Sequence, residues 1–209
     1  MSVGTQRGVE DGVTQLLNTA RFELMPFDSF EGELSELPDG ATVAITTSPQ
    51  LGIDRTVEKC EEAAEAGYEV VPHIAARYIE GPDELEEIAR RLTEAGITDI
   101  FVPGGDKEEA VGEFESAYDL LVALDELEYE FEEVGITGYP EGHDFISDEE
   151  LAEAMEKKAP YATYIVTQLC YDADTILEWI EEIRARGIDL PVEAGIPGVM
   201  KYEKLINIS

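Results

Sequence analysis

The sequence predicts an α/β chain folded as an incomplete (β/α)8 TIM barrel, with about seven of the eight strands present. Three observations carry this. Short apolar runs alternate with polar turns and amphipathic stretches at intervals of roughly 25 to 35 residues, the rhythm of strand–helix units. The runs are nearly continuous in apolar residues, as parallel strands covered on both faces require. Nearly every run also ends in a chemically capable side chain, and such ends converge only if the sheet closes on itself. An open doubly wound sheet would specialise only the few strand ends beside its switch point. It would also be expected to carry a GxGxxG turn in its first loop, which this sequence lacks.

In chain order, residues 1–209 read as one barrel domain opened by a short helix at about 8–19. The first strand, "RFELMPF", carries Glu23; the second, "ATVAITTS", ends in Thr46 and Thr47; the third, "YEVVPHIAA", holds His73. A helix is predicted from Pro82 to Gly96, because Leu85, Ile88, Ala89 and Leu92 share one face and Gly96 suits the stop. The fourth strand, "DIFVPGGD", ends in Gly105 and Asp106, and the fifth, "EVGITGYP", leads into Tyr139 and His143. The sixth, "YIVTQLC", contains Gln168. The helix after it, "DADTILEWIEEIRARG", has Asp172 or Asp174 as candidate N-cap and Gly187 as its stop. "PVEAGIPG" is the seventh strand, and "KYEKLINIS" falls inside the helix expected to follow. A sheet short of its eighth strand has two unpaired edges, so the chain alone is expected to be unstable or to form a homo-oligomer.

Composition narrows the setting. Asp and Glu number 48 against 14 Lys and Arg, a formal net charge of −34, while the hydrophobic fraction is 44%. That is the make-up of a folded protein with an acidic skin and not of a disordered chain. Such a skin repels itself in dilute buffer, and the repulsion fades in molar salt, where the Debye length is about 3 Å. A salt-loving cytoplasm is therefore expected, with nucleic acid and anionic membranes excluded as partners. "MSVGTQRGVEDGVTQLL" has no apolar h-region, and no run approaches a membrane span, so a soluble cytoplasmic protein is expected. Cys60 and Cys170 stand far apart in no metal-like spacing and read as core thiols, with no metal site expected.

Read by their chemistry, the strand ends suggest a binding mouth. A carboxyl between Phe22 and Leu24 should have a raised pKa and act as a proton donor near neutrality; a water-facing strand Glu is the alternative. His73 suits either a satisfied core imidazole or a ligand contact. "PGGD" allows a backbone to approach a ligand closely, or simply turns. Gln168 needs a polar partner, whether a ligand edge or a backbone carbonyl. Tyr139 with His143 could seat a flat ring system and its phosphates.

Several stretches, in this order, resemble the methylenetetrahydrofolate reductase family, in a haloarchaeal-like form. They are "FELMP", "VPHIAAR", "FVPGGD", "TGYPEGH", "YIVTQLCYD" and "GIPGVMKY", and together they span residues 22–202. The resemblance implies a flavoprotein oxidoreductase acting on CH–NH groups, with FAD at the barrel mouth, reducing 5,10-methylenetetrahydrofolate to 5-methyltetrahydrofolate. It implies Glu23 as the general acid toward the folate N10, and Asp106 beside the flavin N1 and the pterin. Gln168 would read the pterin edge, and Tyr202 would stack on the aminobenzoyl ring. Thr46, His73, Gly105, Asp106, Tyr139, His143 and one of Lys157 or Lys158, taken as Lys157, would hold FAD. The electron donor would be NAD(P)H or a reductase. Gly104 stands where the family commonly has Arg, which removes a fixed cation from the flavin phosphate region. Two other readings stay open: a folate-binding, methyltransferase-like relative without flavin, and a non-catalytic truncated paralogue.

Overall fold

The computed structural model describes residues 19–198 together with Gly12, Thr14 and Leu16. The helix expected at 8–19 falls largely outside the described residues; Gly12, Thr14 and Leu16 are helical. All seven apolar runs form strands: β1 Arg21–Leu24, β2 Thr42–Ile45, β3 Glu69–Pro72, β4 Asp99–Val102, β5 Glu133–Gly138, β6 Tyr164–Thr167 and β7 Val192–Glu193. Between them lie α1 Phe30–Leu34, α2 Gly52–Glu65, α3 Pro82–Glu94, α4 Ala117–Asp125, α5 Asp148–Lys158 and α6 Ala173–Ala185. Short 3-10 turns occupy Ala76–Tyr78 and Ala159–Tyr161.

Each strand pairs in parallel with its sequence neighbour, in the order β1-β2-β3 and β4-β5-β6-β7. The two groups meet where His73 bridges Phe101 and the Ile74 amide donates to the Phe101 carbonyl at 2.8 Å. The sheet is therefore one curved wall with β1 and β7 as its edges among the described residues, a barrel that is not closed. Period-two alternation sorts its side chains. Val43, Ile45, Val70, Ile100, Val102, Ile136 and Ile165 face the helices and form the main core. Ala44, Val71 and Phe101 form a separate small interior cluster, with Val166 packed against it.

The helices show the expected signals. Leu85, Ile88, Ala89 and Leu92 of α3 are all buried, Pro82 opens the helix, and Gly96 follows it at φ +77°. Ser116 with Asp119 and Ser147 with Glu150 form capping boxes on α4 and α5. Of the two candidates for α6, Asp172 is the N-cap: its Oδ1 accepts from the Asp174 amide at 2.9 Å. Cys60 and Cys170 are free and buried. Among the described residues no helix is long and apolar enough to cross a membrane.

A polar cluster crosses the interior at the N-terminal ends of the strands. Arg21 on β1 donates to Asp99 of β4 at 2.6 Å and to the Tyr164 hydroxyl of β6 at 3.0 Å, and pairs with Glu193 of β7 at 3.0 Å. Its guanidinium lies 4.5 Å from the Tyr164 ring centroid, and Tyr164 donates to Asp99 at 2.8 Å. Gly135 makes the space: a Cβ there would stand 2.4 Å from the Tyr164 ring. One side chain from an edge strand thus spans the sheet to the opposite edge.

Candidate active site

The opposite ends of the strands form the mouth. Glu23 lies two residues after Arg21 on β1, so the pleat turns both to the same side. Glu23 is exposed, and not the buried carboxyl that its neighbours Phe22 and Leu24 suggest. Lost hydration on the protein side still raises its pKa, and no cationic partner contributes to that shift. A carboxyl held in this way retains its proton at higher pH than an ordinary glutamate.

Beyond β2, Thr46 donates to Met25 Sδ at 2.7 Å and Thr47 donates to the His73 carbonyl at 2.7 Å. These bonds tie the ends of β1, β2 and β3 together. His73 follows β3, with its ring 4.7 Å from the Phe101 ring centroid. Burial, and then the positive charge of Arg21, lower its pKa from 6.5 to about 4, so the imidazole is neutral at physiological pH.

After β4 the chain passes Gly104, Gly105 and Asp106. Asp106 is exposed, and one of its carboxylate oxygens accepts a short hydrogen bond from the Tyr78 hydroxyl. Lys107 places its ammonium 4.5 Å from the Tyr78 ring centroid. Arg77, beside Tyr78, donates to the Lys107 carbonyl at 2.7 Å and to the Glu115 carbonyl at 2.8 Å.

Beyond β5, Tyr139 and His143 meet edge to face, their ring centroids 5.5 Å apart. His143 Nδ1 accepts from the Phe145 amide at 3.2 Å, and the Phe145 side chain is 91% exposed. Burial raises the Tyr139 phenol pKa, offset by an interaction with Thr137. The Thr137 hydroxyl itself is buried without a hydrogen bond of good geometry. On α5, Lys157 is exposed, whereas Lys158 is buried with its Nζ 3.4 Å from the Thr137 carbonyl. Burial lowers the Lys158 pKa from 10.5 to about 8. Gln168 is exposed at the end of β6, its backbone amide donating to the Gly138 carbonyl at 2.8 Å. Tyr202 lies outside the described residues.

The fold thus sets Glu23, Thr46, His73, Gly105, Asp106, Tyr139, His143 and Gln168 at the C-terminal ends of strands β1 to β6. Direct contacts join Tyr139 to His143 and the Thr47 hydroxyl to His73, while Asp106 is held by a residue that strand-end reasoning passes over. Tyr78 and Thr137 are the additions that the structure makes. "ARYIEG" offers a phenol between charged residues, with nothing local to mark its partner. Thr137 falls in an apolar strand, and its alternation with Ile136 was the available sign that it turns inward.

Comparison with known proteins adds to this geometry. A family model described as methylenetetrahydrofolate reductase matches residues 39–209. Methylenetetrahydrofolate reductase 1 of Schizosaccharomyces pombe is 36% identical over 76 residues, covering 35% of this chain and 13% of that protein. Methylenetetrahydrofolate reductase (NADH) 1 of Arabidopsis thaliana is 26% identical over 145 residues, covering 61% of this chain and 24% of that protein. The chain therefore matches well under a third of the length of these relatives. A solved structure from Burkholderia cenocepacia J2315, provisionally described as a lyase/mutase, is similar with a TM-score of 0.54 at 15% identity. It covers 90% of this chain and 73% of that one, a likeness of fold.

Proposed function

Because the chain belongs to the methylenetetrahydrofolate reductase family, we propose that it reduces 5,10-methylenetetrahydrofolate to 5-methyltetrahydrofolate, with FAD as cofactor, in one-carbon metabolism. The observation that carries the reading is the place of Glu23, an exposed carboxyl that pairs in register with the interior Ala44 toward the C-terminal end of β1. It is a proton donor placed at the mouth of a barrel.

The residues fit a flavin. Tyr139 and His143 offer an aromatic corner. The Thr137 hydroxyl is a buried polar atom beside the Tyr139 phenol without a hydrogen bond of good geometry. Thr46 and His73 stand on neighbouring strand ends, and Lys158, more than the exposed Lys157, brings a buried cation to β5. FAD, when bound, supplies the hydride that the methylene carbon receives. Glu23 gives its proton to the folate N10, which opens the five-membered ring to an iminium. Asp106 sets a negative charge beside the site, which disfavours accumulation of negative charge on its occupant. Gln168, exposed at the end of β6, hydrogen-bonds the pterin edge. The electron donor is NAD(P)H or a reductase, and the setting is a salt-rich cytoplasm.

The test is purification in molar KCl, followed by identification of bound flavin by its visible spectrum and by mass, and then assay of methylenetetrahydrofolate reduction. Glu23→Gln should lower folate turnover by about 100-fold or more, the usual reach of a general acid, while flavin reduction by the donor persists. Unchanged turnover removes Glu23 from its role. Folate binding without flavin favours the methyltransferase-like reading, and binding of neither favours a non-catalytic chain.

A further inference from the structure

We propose that Tyr78 is a positioning residue for Asp106, its buried phenol holding that carboxylate at the lip of β4 and apart from the neighbouring cation Lys107. The proposal rests on the reading of Asp106 as part of the folate and flavin site.

Tyr78 is 6% exposed, on the 3-10 turn that follows β3, and its hydroxyl donates to Asp106 Oδ1. The ring lies directly under the loop: a Cβ at Gly105, where φ is +94°, would stand 3.3 Å from the Tyr78 ring. Lys107 occupies the face of the same ring, at 4.5 Å. Two adjacent residues of opposite charge are thereby sorted onto different parts of one phenol, the cation on the π face and the anion at the hydroxyl.

The frame around this arrangement is stiff. The amides of Ala76 and Arg77 donate to the carbonyls of Pro103 and Gly104, each at 3.0 Å. Farther along, Val111 donates to the Arg77 carbonyl and Glu113 to the Glu80 carbonyl, each at 3.1 Å. Gly112 permits that approach, since a Cβ there would fall 1.8 Å from Glu80 O. The segment bearing Tyr78 is strapped along the loop bearing Asp106, so the phenol has a fixed place from which to hold the carboxylate. Without the hydroxyl, Asp106 is free to turn toward Lys107, and its charge at the mouth is misplaced or neutralised.

Tyr78→Phe keeps the ring and removes only the O–H. In the flavin-free chain labelled with 13Cζ-tyrosine, the NMR signal lost in Tyr78→Phe identifies Tyr78, and Asp106→Ala should shift it. An unmoved signal overturns the contact and the proposal. In the loaded chain, Tyr78→Phe should lower kcat for 5,10-methylenetetrahydrofolate reduction about tenfold, the scale of a hydrogen bond to a charged group, with KM and FAD affinity held within about twofold. Combined with Asp106→Asn it should add nothing to the loss from Asp106→Asn alone. Losses that multiply, or full turnover in Tyr78→Phe, overturn the proposal. Full turnover in Asp106→Asn instead overturns the placement of Asp106 in the site, and the NMR measurement then decides Tyr78. A wild-type chain with no folate turnover counts against the proposed function and again leaves the decision to the NMR measurement.

Discussion

His73 ties the ionisation of the molecule to its fold. The unfolded chain binds a proton on this imidazole near pH 6.5, whereas the folded chain resists protonation until about pH 4. Stability contributed by the neutral ring is complete above that window and declines as the pH falls through it, by at most about 1.4 kcal/mol per pH unit. His73→Asn should flatten the dependence of unfolding free energy on pH between 6.5 and about 4 relative to wild type, whatever its absolute stability. Identical slopes in denaturant titrations would mean that water reaches the ring. The sequence marked His73, Glu23, Asp106, Tyr139 and Gln168 as strand-end groups, because an apolar run that stops at a polar residue is visible in one dimension. It could not mark what each one touches. The Thr47–His73 and Tyr78–Asp106 bonds link positions 26 and 28 residues apart on different loops, and no local pattern encodes such a pairing.

At the level of elements, the strands were legible in number and order, though the seventh run forms a strand only at Val192–Glu193, and their sealing was not legible. Seven runs became seven strands because a parallel strand covered on both faces must be apolar throughout. Arg21 opens the first run and looks like a polar flank, yet its partners sit 78 and 143 residues away on β4 and β6. Asp99 is held above the usual carboxylate range by burial and would rise farther without Arg21. Arg21→Met removes the cation from two carboxyls and a phenol in one change. The expected loss is roughly 2–4 kcal/mol at neutral pH, because breaking a partly buried pair strands its remaining partner. Chemical denaturation checks it, and a loss below about 0.5 kcal/mol would class the cluster with ordinary surface pairs.

Over the whole molecule, charge dominates. A net charge of −34 on 209 residues sets like charges close together, and much of the scarce positive charge is committed to pairs: Arg21, Arg55, Lys59, Arg90, Arg91, Arg184 and Arg186 each face acidic partners. Screening should relieve the remainder. The melting temperature is expected to climb steadily as KCl is raised from millimolar to molar, and a flat response would remove repulsion as the governing force.

The Arg21 cluster has one more effect, on traffic. With Arg21, Asp99, Tyr164 and Glu193 laced across the floor and Ala44, Val71, Phe101 and Val166 clustered in the interior, passage by that end would mean breaking several bonds at once. Traffic is left to the opposite rim and to the seam between β1 and β7.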